Sequence, residues 1–474
     1  MASSFGGLNT ALTSLYAQRR GLDITGQNIA NANTEGYTRQ KVRMQSQTGS
    51  LNPGVYATTT QVGSGVTVSS VERGRNEYLE ERGRTEHANS SYLATQKASY
   101  EQIESVMAEP SDTALQARLH DMWDAWNDVS NNWQDPSTRS ALIERSQTVA
   151  VTLNDTHESL ASQFSANRTQ AEAFVSQVNN LAGRIADMNQ QIVVANASGL
   201  EANELLDQRD VAVMQLSELT GATTQSKTNG SVNVYLGTAP LVSDFVTREV
   251  ELTGPPTLAA WTEDTPIALK WTDTDMPVTT GGQMGAMLDT MNTIIPGISS
   301  QLDEVARTLA NKVNSAVTAG YDFNGDEGTP FFEGDENGVI TAGSISVAIT
   351  EADKVPFSVE SRKNPDPLLA AVDQGIADQL SETGVSSDGP DALYQTMIGQ
   401  LGVASQASAR RSDIQDAVTD QVDTARQAES GVNLDEEMTN LLTFQRGYEA
   451  ASRVLTTIDS MLDQLINRTG LVGR

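Results

Sequence analysis

The residues best equipped for chemistry lie between Asp322 and Glu333. Asp322, Asn324, Asp326 and Glu333 put oxygen-bearing side chains at the first, third, fifth and twelfth places of a calcium-binding loop. The place that needs glycine for the sharp turn holds Glu327. The segment is therefore a weak calcium-loop candidate, and its plainer reading is a Gly/Asn/Asp turn leading into Phe331-Phe332. The three histidines, His87, His120 and His157, are far apart and outside any H-E-x-x-H pattern. Each is expected as an exposed or half-buried helix histidine, because catalysis or metal binding needs partners at defined spacing. Gly63-Ser64-Gly65 runs into alternating Val66 and Val68, a strand signal, and so is not a dinucleotide fingerprint. Neither a P-loop nor a G-x-S-x-G elbow occurs. Arg209, between Asp207 and Asp210, is expected to make structural ion pairs on a helix. Trp123, Trp126 and Trp133 at helical spacing suit a core or domain contact better than a sugar platform. The reading is of a chain with no catalytic residue and no cofactor, not an enzyme.

Composition narrows the classes further. With 31 basic against 61 acidic residues the net charge is −30, which disfavours nucleic acid and anionic membrane surfaces as partners. The charge favours solubility and suppresses premature self-association. There is no cysteine, so disulfides, thiolate catalysis and Cys-based zinc sites are excluded. No apolar run reaches the ~18 residues of a membrane span. The N-terminal residues lack the basic and apolar regions of a cleavable secretory signal, so an exported chain would need another route.

The elements that must position any site are mostly helical. A chain of 474 residues suggests several domains. Leu115, Leu119, Trp123 and Trp126 mark one helix, and Asp135-Pro136-Ser137 reads as a loop and the start of the next. From Ser140 to about Ala195 one long helix is expected, with Phe174, Val178, Leu181, Ile185, Met188, Ile192 and Ala195 spaced by fours and threes. Between 221 and 283 the texture turns to strand. Val232, Val234 and Leu236 alternate, and Val246, Val250 and Leu252 suggest another strand interrupted by Arg248. Helix returns from Met284 to Val317, with a kink or break expected at Pro296. Short strands are expected near Ser344–Ile349, irregular chain over 360–390 around Pro365, Pro367, Gly384 and Gly389, and helix from Asp391 to Gln427.

The two chain ends carry the strongest pattern. Leu8, Leu15, Leu22 and Ile29 recur every seven residues, with Leu12 beside them. At the other end Leu434, Leu441, Tyr448, Leu455 and Leu462 form one series, and Phe444, Ala451, Ile458 and Leu465 a second, offset by three and broken only by Glu437. This is a coiled-coil seam. Asn433 caps it, acidic residues fill its first turn, and Gly470 stops it. Only about two residues in seven lie on such a seam, too few to offset the ordering entropy of an isolated helix. The seam residues named are therefore expected to form subunit interfaces, and both ends to order on assembly, although a stable pair within one chain would satisfy the same pattern.

The fold class is mainly α with β-rich inserted domains in a nested multi-domain architecture, the terminal helices paired in a coiled-coil-like layer. Residues 1–35 with 430–474 form the terminal domain. Residues 36–220 with 284–320 and 391–429 form a rod-like body, 221–283 a β-rich insertion, and 321–390 a loop and short-strand region.

Ala30-Asn31-Ala32-Asn33-Thr34-Glu35-Gly36-Tyr37-Thr38-Arg39-Gln40 resembles the N-terminal signature of the flagellar rod, hook and hook-associated protein family. Ser430 through Glu437, followed by Gln445-Arg446-Gly447-Tyr448, resembles its C-terminal signature. Gly63–Val66 with Arg73, Asp135-Pro136 with Arg139, Leu205–Asp210 and Gly320–Phe332 resemble the hook-associated members in particular. Gly26 and Ala451 stand where bulkier seam residues are usual. The resemblance implies a structural subunit of the extracellular flagellum joining hook to filament, exported through the type III channel without a cleaved signal. It implies as partners copies of the chain, the hook protein, an adjoining hook-associated protein and an export chaperone on the C-terminal helix. A hook or distal-rod subunit is the alternative, and a secreted adhesin or a flagellum-borne hydrolase a remote one.

Overall fold

Asn76, Asp135 and Asn433 each precede a long helical run, and each side chain accepts hydrogen bonds from N–H groups of the first turn. Pro136 and Pro390 stand at helix starts, where a missing N–H loses no bond. A computed structural model of the chain describes residues 4–47, 63–361, 363, 375–383 and 386–464. In chain order it contains α1 (Ser4–Ala30), β1 (Gln40–Ser46), β2 (Val66–Arg73), α2 (Glu77–Met107), α3 (Leu115–Asn131), α4 (Pro136–Ala197) and α5 (Asn203–Thr220). Six short strands follow: β3 (Thr223–Ser226), β4 (Val232–Leu236), β5 (Ala239–Ser243), β6 (Val246–Thr247), β7 (Val250–Thr253) and β8 (Ala268–Trp271). The rest are α6 (Gly282–Asp289), α7 (Ile295–Val317), β9 (Phe332–Glu333), β10 (Ser346–Val347), α8 (Gly375–Thr383), α9 (Pro390–Ser430) and α10 (Leu434–Asp463).

The helices nest. α1 packs on α10, α2 on α9, α3 on α8 and α4 on α7, so each half of the chain pairs with the other in reverse order. The terminal helices are the outermost pair, as the coiled-coil pattern requires. α4 is the spine. Its buried Leu142, Leu153, Phe164, Val175 and Ala186 are eleven residues apart, as are Val149, Leu160, Ala171 and Ala182. Eleven residues in three turns is 3.67 per turn, close to the natural 3.6, so a 62-residue helix keeps one face inward with little drift. Of the expected row, Val178, Leu181, Ile185, Met188 and Ile192 are buried on this face, and Phe174 and Ala195 at its ends are half-buried.

The insertion is an antiparallel meander, β3-β4-β5-β6, beside the hairpin β7-β8. The single strand expected across Val246, Val250 and Leu252 is two strands, divided at Arg248. There the guanidinium lies 4.1 Å over the Trp271 ring and pairs with Asp273 at 2.6 Å, which pulls the residue out of ladder alternation. The break expected at Pro296 comes one turn earlier, as a π-helical turn over Thr290–Ile294, and the proline occupies the first turn of α7. The stretch expected to be irregular contains α8, whose Ile376, Ala377 and Leu380 are buried against α3 and α7. Leu465, Gly470, Pro365, Pro367 and Gly384 lie outside the described residues. Trp123 and Trp126 are core residues, and Trp133 stacks on Phe357 with ring centroids 5.6 Å apart.

Candidate functional site

The seam sits between α1 and α10, which run antiparallel: Gly7 lies against Ile458, Gly21 against Phe444, and Asn28 against Glu437. A Cβ on Gly21 would stand 2.7 Å from the Phe444 ring, so the glycine is what lets the helices approach. Leu8, Leu15, Leu22, Ile29, Leu441, Phe444, Leu455, Ile458 and Leu462 are half-buried along this contact, and Ala451 is buried. Leu12, Leu434 and Tyr448 remain exposed. So do Met438 and Leu442, which with Leu434 form an i, i+4, i+8 row beside the seam, and Val454 and Met461 further along. Within one chain the pair covers one face and leaves apolar flanks open.

Where the heptad series fails, the structure builds a polar clasp. Glu437 is 2% exposed and pairs with Arg39 at 2.7 Å. It also accepts from Asn28 Nδ2 at 3.1 Å. Asn28 in turn receives the Gln40 N–H at 3.0 Å and the Tyr37 hydroxyl at 2.8 Å, and donates to the Gln40 carbonyl at 2.9 Å. Burial, and then the carboxylates of Asp207, Glu204 and Glu437, push the Tyr37 hydroxyl up to about 12, so it stays a donor. The Arg39 backbone is held on both sides: its N–H donates to Ser430 O at 2.9 Å, and its carbonyl accepts from Gly74 N at 2.8 Å. Gly36 has φ +76, and a Cβ there would meet Val211 at 2.2 Å, so the turn tolerates only glycine. The N-terminal and C-terminal signatures are thus the two halves of one lock.

An ion ladder descends from the clasp into the helical body. Asp207 accepts from the Thr38 N–H at 3.1 Å and from Arg73 at 2.8 Å. Arg73 reaches Asp210 at 2.8 Å, Asp210 pairs with Arg75, and Arg75 pairs with Glu80 at 2.7 Å. Glu80 pairs with Arg426 at 2.9 Å, and Arg426 with Asp423 at 2.8 Å. Burial pushes the Glu80 carboxyl up, but Arg75 and Arg426 outweigh it and hold it below its ordinary value. Arg209 lies 3.7 Å from Asp210 and donates to Gly230 O and Asn189 Oδ1. Burial, with Arg73, Arg75 and Arg84 nearby, lowers it to about 10. Asp423 also faces His87 Nε2 at 2.9 Å, while Glu218 lies 3.1 Å from His87 Nδ1. The sequence showed neither histidine partner, because Glu218 and Asp423 come from distant helices.

The calcium-loop candidates part company. Asp322 Oδ1 accepts the N–H groups of Asn324 and Asp326 at 2.8 and 2.9 Å, which closes a turn, and Asp326 pairs with Lys363 at 2.6 Å. Glu333 stands on β9, opposite Ser346. Among the described residues no group of three or more His, Cys, Asp or Glu is placed to hold a metal ion. No helix among them is long and apolar enough to cross a membrane. Glu437 was visible beforehand only as a fault in the seam; that fault was the one available signal for the clasp.

The comparisons with known proteins fall on the same parts of the chain. The family model for the helical domain of flagellar hook-associated protein FlgK matches residues 100–332. A model of flagellar basal body rod proteins matches residues 8–38, and one of the C-terminal part of the rod FlgEFG proteins matches 426–468. Flagellar hook-associated protein 1 of Bacillus subtilis is 29% identical over 100% of both chains. Its Escherichia coli counterpart is 25% identical over 97% of this chain and 99% of its own. The solved structure of the flagellar hook junction protein FlgK from Burkholderia pseudomallei has the same fold, with a TM-score of 0.62 at 16% identity over 74% of this chain and 100% of that one. With both ends and the helical body matched in order along its full length, the chain belongs to the flagellar hook-associated protein 1 family.

Proposed function

We propose that this chain is a structural subunit that joins the flagellar hook to the filament, locked in place by its terminal helices. The observation that carries the reading is the α1–α10 pair: a seam half-closed within the chain, with Leu12, Tyr16, Leu434, Met438, Leu442, Val454 and Met461 exposed on its flanks. Copies of the same chain, and adjoining hook and hook-associated subunits, would cover those flanks and complete the burial. The clasp at Glu437 fixes the pair at one end, so that neighbours meet a helix pair of defined register. In this reading residues 1–35 with 430–474 are the assembly domain. The body (36–220, 284–320 and 391–429), the insertion (221–283) and the 321–390 region are carried by it.

The finer parts follow from the same role. The subunit works outside the cell and is exported through the flagellar type III channel without a cleaved signal. A chaperone covers the apolar face of α10 until then. The work is mechanical, with no enzymatic step. The rod-protein models at the two ends favour a second reading, a hook or distal-rod subunit. Genetic deletion separates the two: a junction subunit leaves hooks intact but without filaments, whereas a hook or rod subunit removes the hook itself. Complementation with a chain lacking 1–35 and 430–474 tests the interface. The full chain restores filament attachment and the truncated chain does not. A truncated chain that still incorporates between hook and filament overturns the proposal.

A further inference from the structure

We propose that His87 is a proton-held rivet fastening α9 to α2 and α5, closed when the imidazole is charged and loosened when it is neutral. The geometry admits one fully satisfied state. Nδ1 lies 3.1 Å from a Glu218 oxygen on α5, and Nε2 lies 2.9 and 3.1 Å from the two Asp423 oxygens on α9. A neutral imidazole has one N–H, so either tautomer turns a lone pair toward a carboxylate. Only the imidazolium donates to both.

The surroundings sharpen the choice. On α9, Asp423 keeps a second cation in Arg426 at 2.8 Å. Glu218, the one α5 carboxylate at the ring, has no other ion-pair partner among the described residues, so deprotonation of His87 leaves it without a countercharge. On α2 the flanking groups are Arg84 one turn before and Glu86 alongside. Glu86 is engaged by Gln415 of α9 at 2.8 Å. The next charged group along the seam, Asp416, is taken by Ser90 at 2.7 Å. α6, also packed on α2 and α5, offers only Asp289, which accepts from Tyr92. Hydrogen bonding to Glu218 outweighs the burial that opposes charge, and Asp423 adds to it, so the His87 imidazole titrates above its ordinary value.

The direction of the pH effect follows. A group whose affinity for protons rises on folding lends stability that is fully present below its unfolded pKa of about 6.5 and is lost as pH climbs through the higher folded value. Above that value the α2–α9 seam slackens next to Asp423 and Arg426, the last rungs of the ladder that ends at the terminal clasp. The proposal goes beyond the junction role and stands or falls separately from it.

The test uses the full-length chain with histidine ring nitrogens labelled for NMR. Three histidines make assignment direct, with His120→Gln and His157→Gln as references. His87 is expected to titrate above about 6.5. The thermal midpoint is expected to fall by about 1 °C as pH rises through that value, and His87→Gln is expected to lack this fall. Glu218→Gln is expected to lower the His87 midpoint, and it serves if His87→Gln does not fold. A His87 ring titrating at or below the ordinary value overturns the proposal. So does a Glu218→Gln variant with unchanged titration, or a His87→Gln variant with the wild-type pH profile.

Discussion

Glu437 occupies a seam position where leucine would extend the apolar series, and its carboxylate is 2% exposed. A buried carboxylate is tolerable only when paired and hydrogen-bonded, and here Arg39 and Asn28 supply both. Glu437→Leu would restore the heptad yet remove the buried partner of Arg39, whose remaining anion, Glu436, is 59% exposed on its side chain. The expected cost is about 3 kcal/mol, measured by denaturant unfolding. Glu437→Leu combined with Arg39→Met removes the stranded charge and is expected to recover most of that loss. A single variant as stable as the parent would mean that the clasp contributes nothing. The heptad arithmetic exposed the irregular position. Its partner stands 398 residues earlier in the chain, and no local pattern encodes a pairing at that separation.

At the scale of elements, one device recurs. Asn28, Asn179, Asn189, Asn292 and Asn314 all project from helices or the π turn, and each grips one residue of an extended segment through both its N–H and its C=O. The residues gripped are Gln40, Val250, Val232, Ile267 and Phe332. A carboxamide carries a donor and an acceptor at the spacing of a peptide group, so it acts as a one-residue strand partner where helix meets sheet. Asn314 also accepts the Phe331 N–H at 2.8 Å. Asn314→Ala leaves these buried groups unpaired and is expected to destabilise by about 1–3 kcal/mol. Hydrogen exchange at the Phe331 and Phe332 amides should quicken while α4 stays protected; unchanged protection at both amides would refute the clamp. α4 and α9 were legible because their periodicity is local, and both begin within a few residues of their expected starts, whereas α2 was read only as part of the helical body. These asparagines were not, because an Asn on a helix looks the same whether it meets water or a distant backbone. α8 escaped notice for a related reason: nine residues amid Gly and Pro are too few to establish a period.

Over the whole molecule, burial falls steeply from the inner pairs to the outer one. Eighteen residues of α4 are buried, whereas among the described residues of α10 only Glu437 and Ala451 are. Helix stability in proteins comes mainly from packing one apolar face, so the outermost pair has the least to hold it. A net charge of −30 works in the same direction, since mutual repulsion weakens a thinly packed shell and keeps free copies apart. In the proposed assembly, neighbours would reverse the balance by covering Leu434, Met438, Leu442, Val454 and Met461, each of which returns roughly 1.5–3 kcal/mol when fully buried. Hydrogen exchange on the free chain and on isolated flagella measures this directly. The amides of α1 and α10 are expected to exchange quickly in the free chain and slowly in the assembled state, while those of α4 are slow in both. The clasp should divide α10 even when free, with residues just after Glu437 slower than those near Met461. Protection of α10 equal to that of α4 in the free chain would show that the pair is complete without neighbours, and the exposed flanks would then have no structural task in assembly.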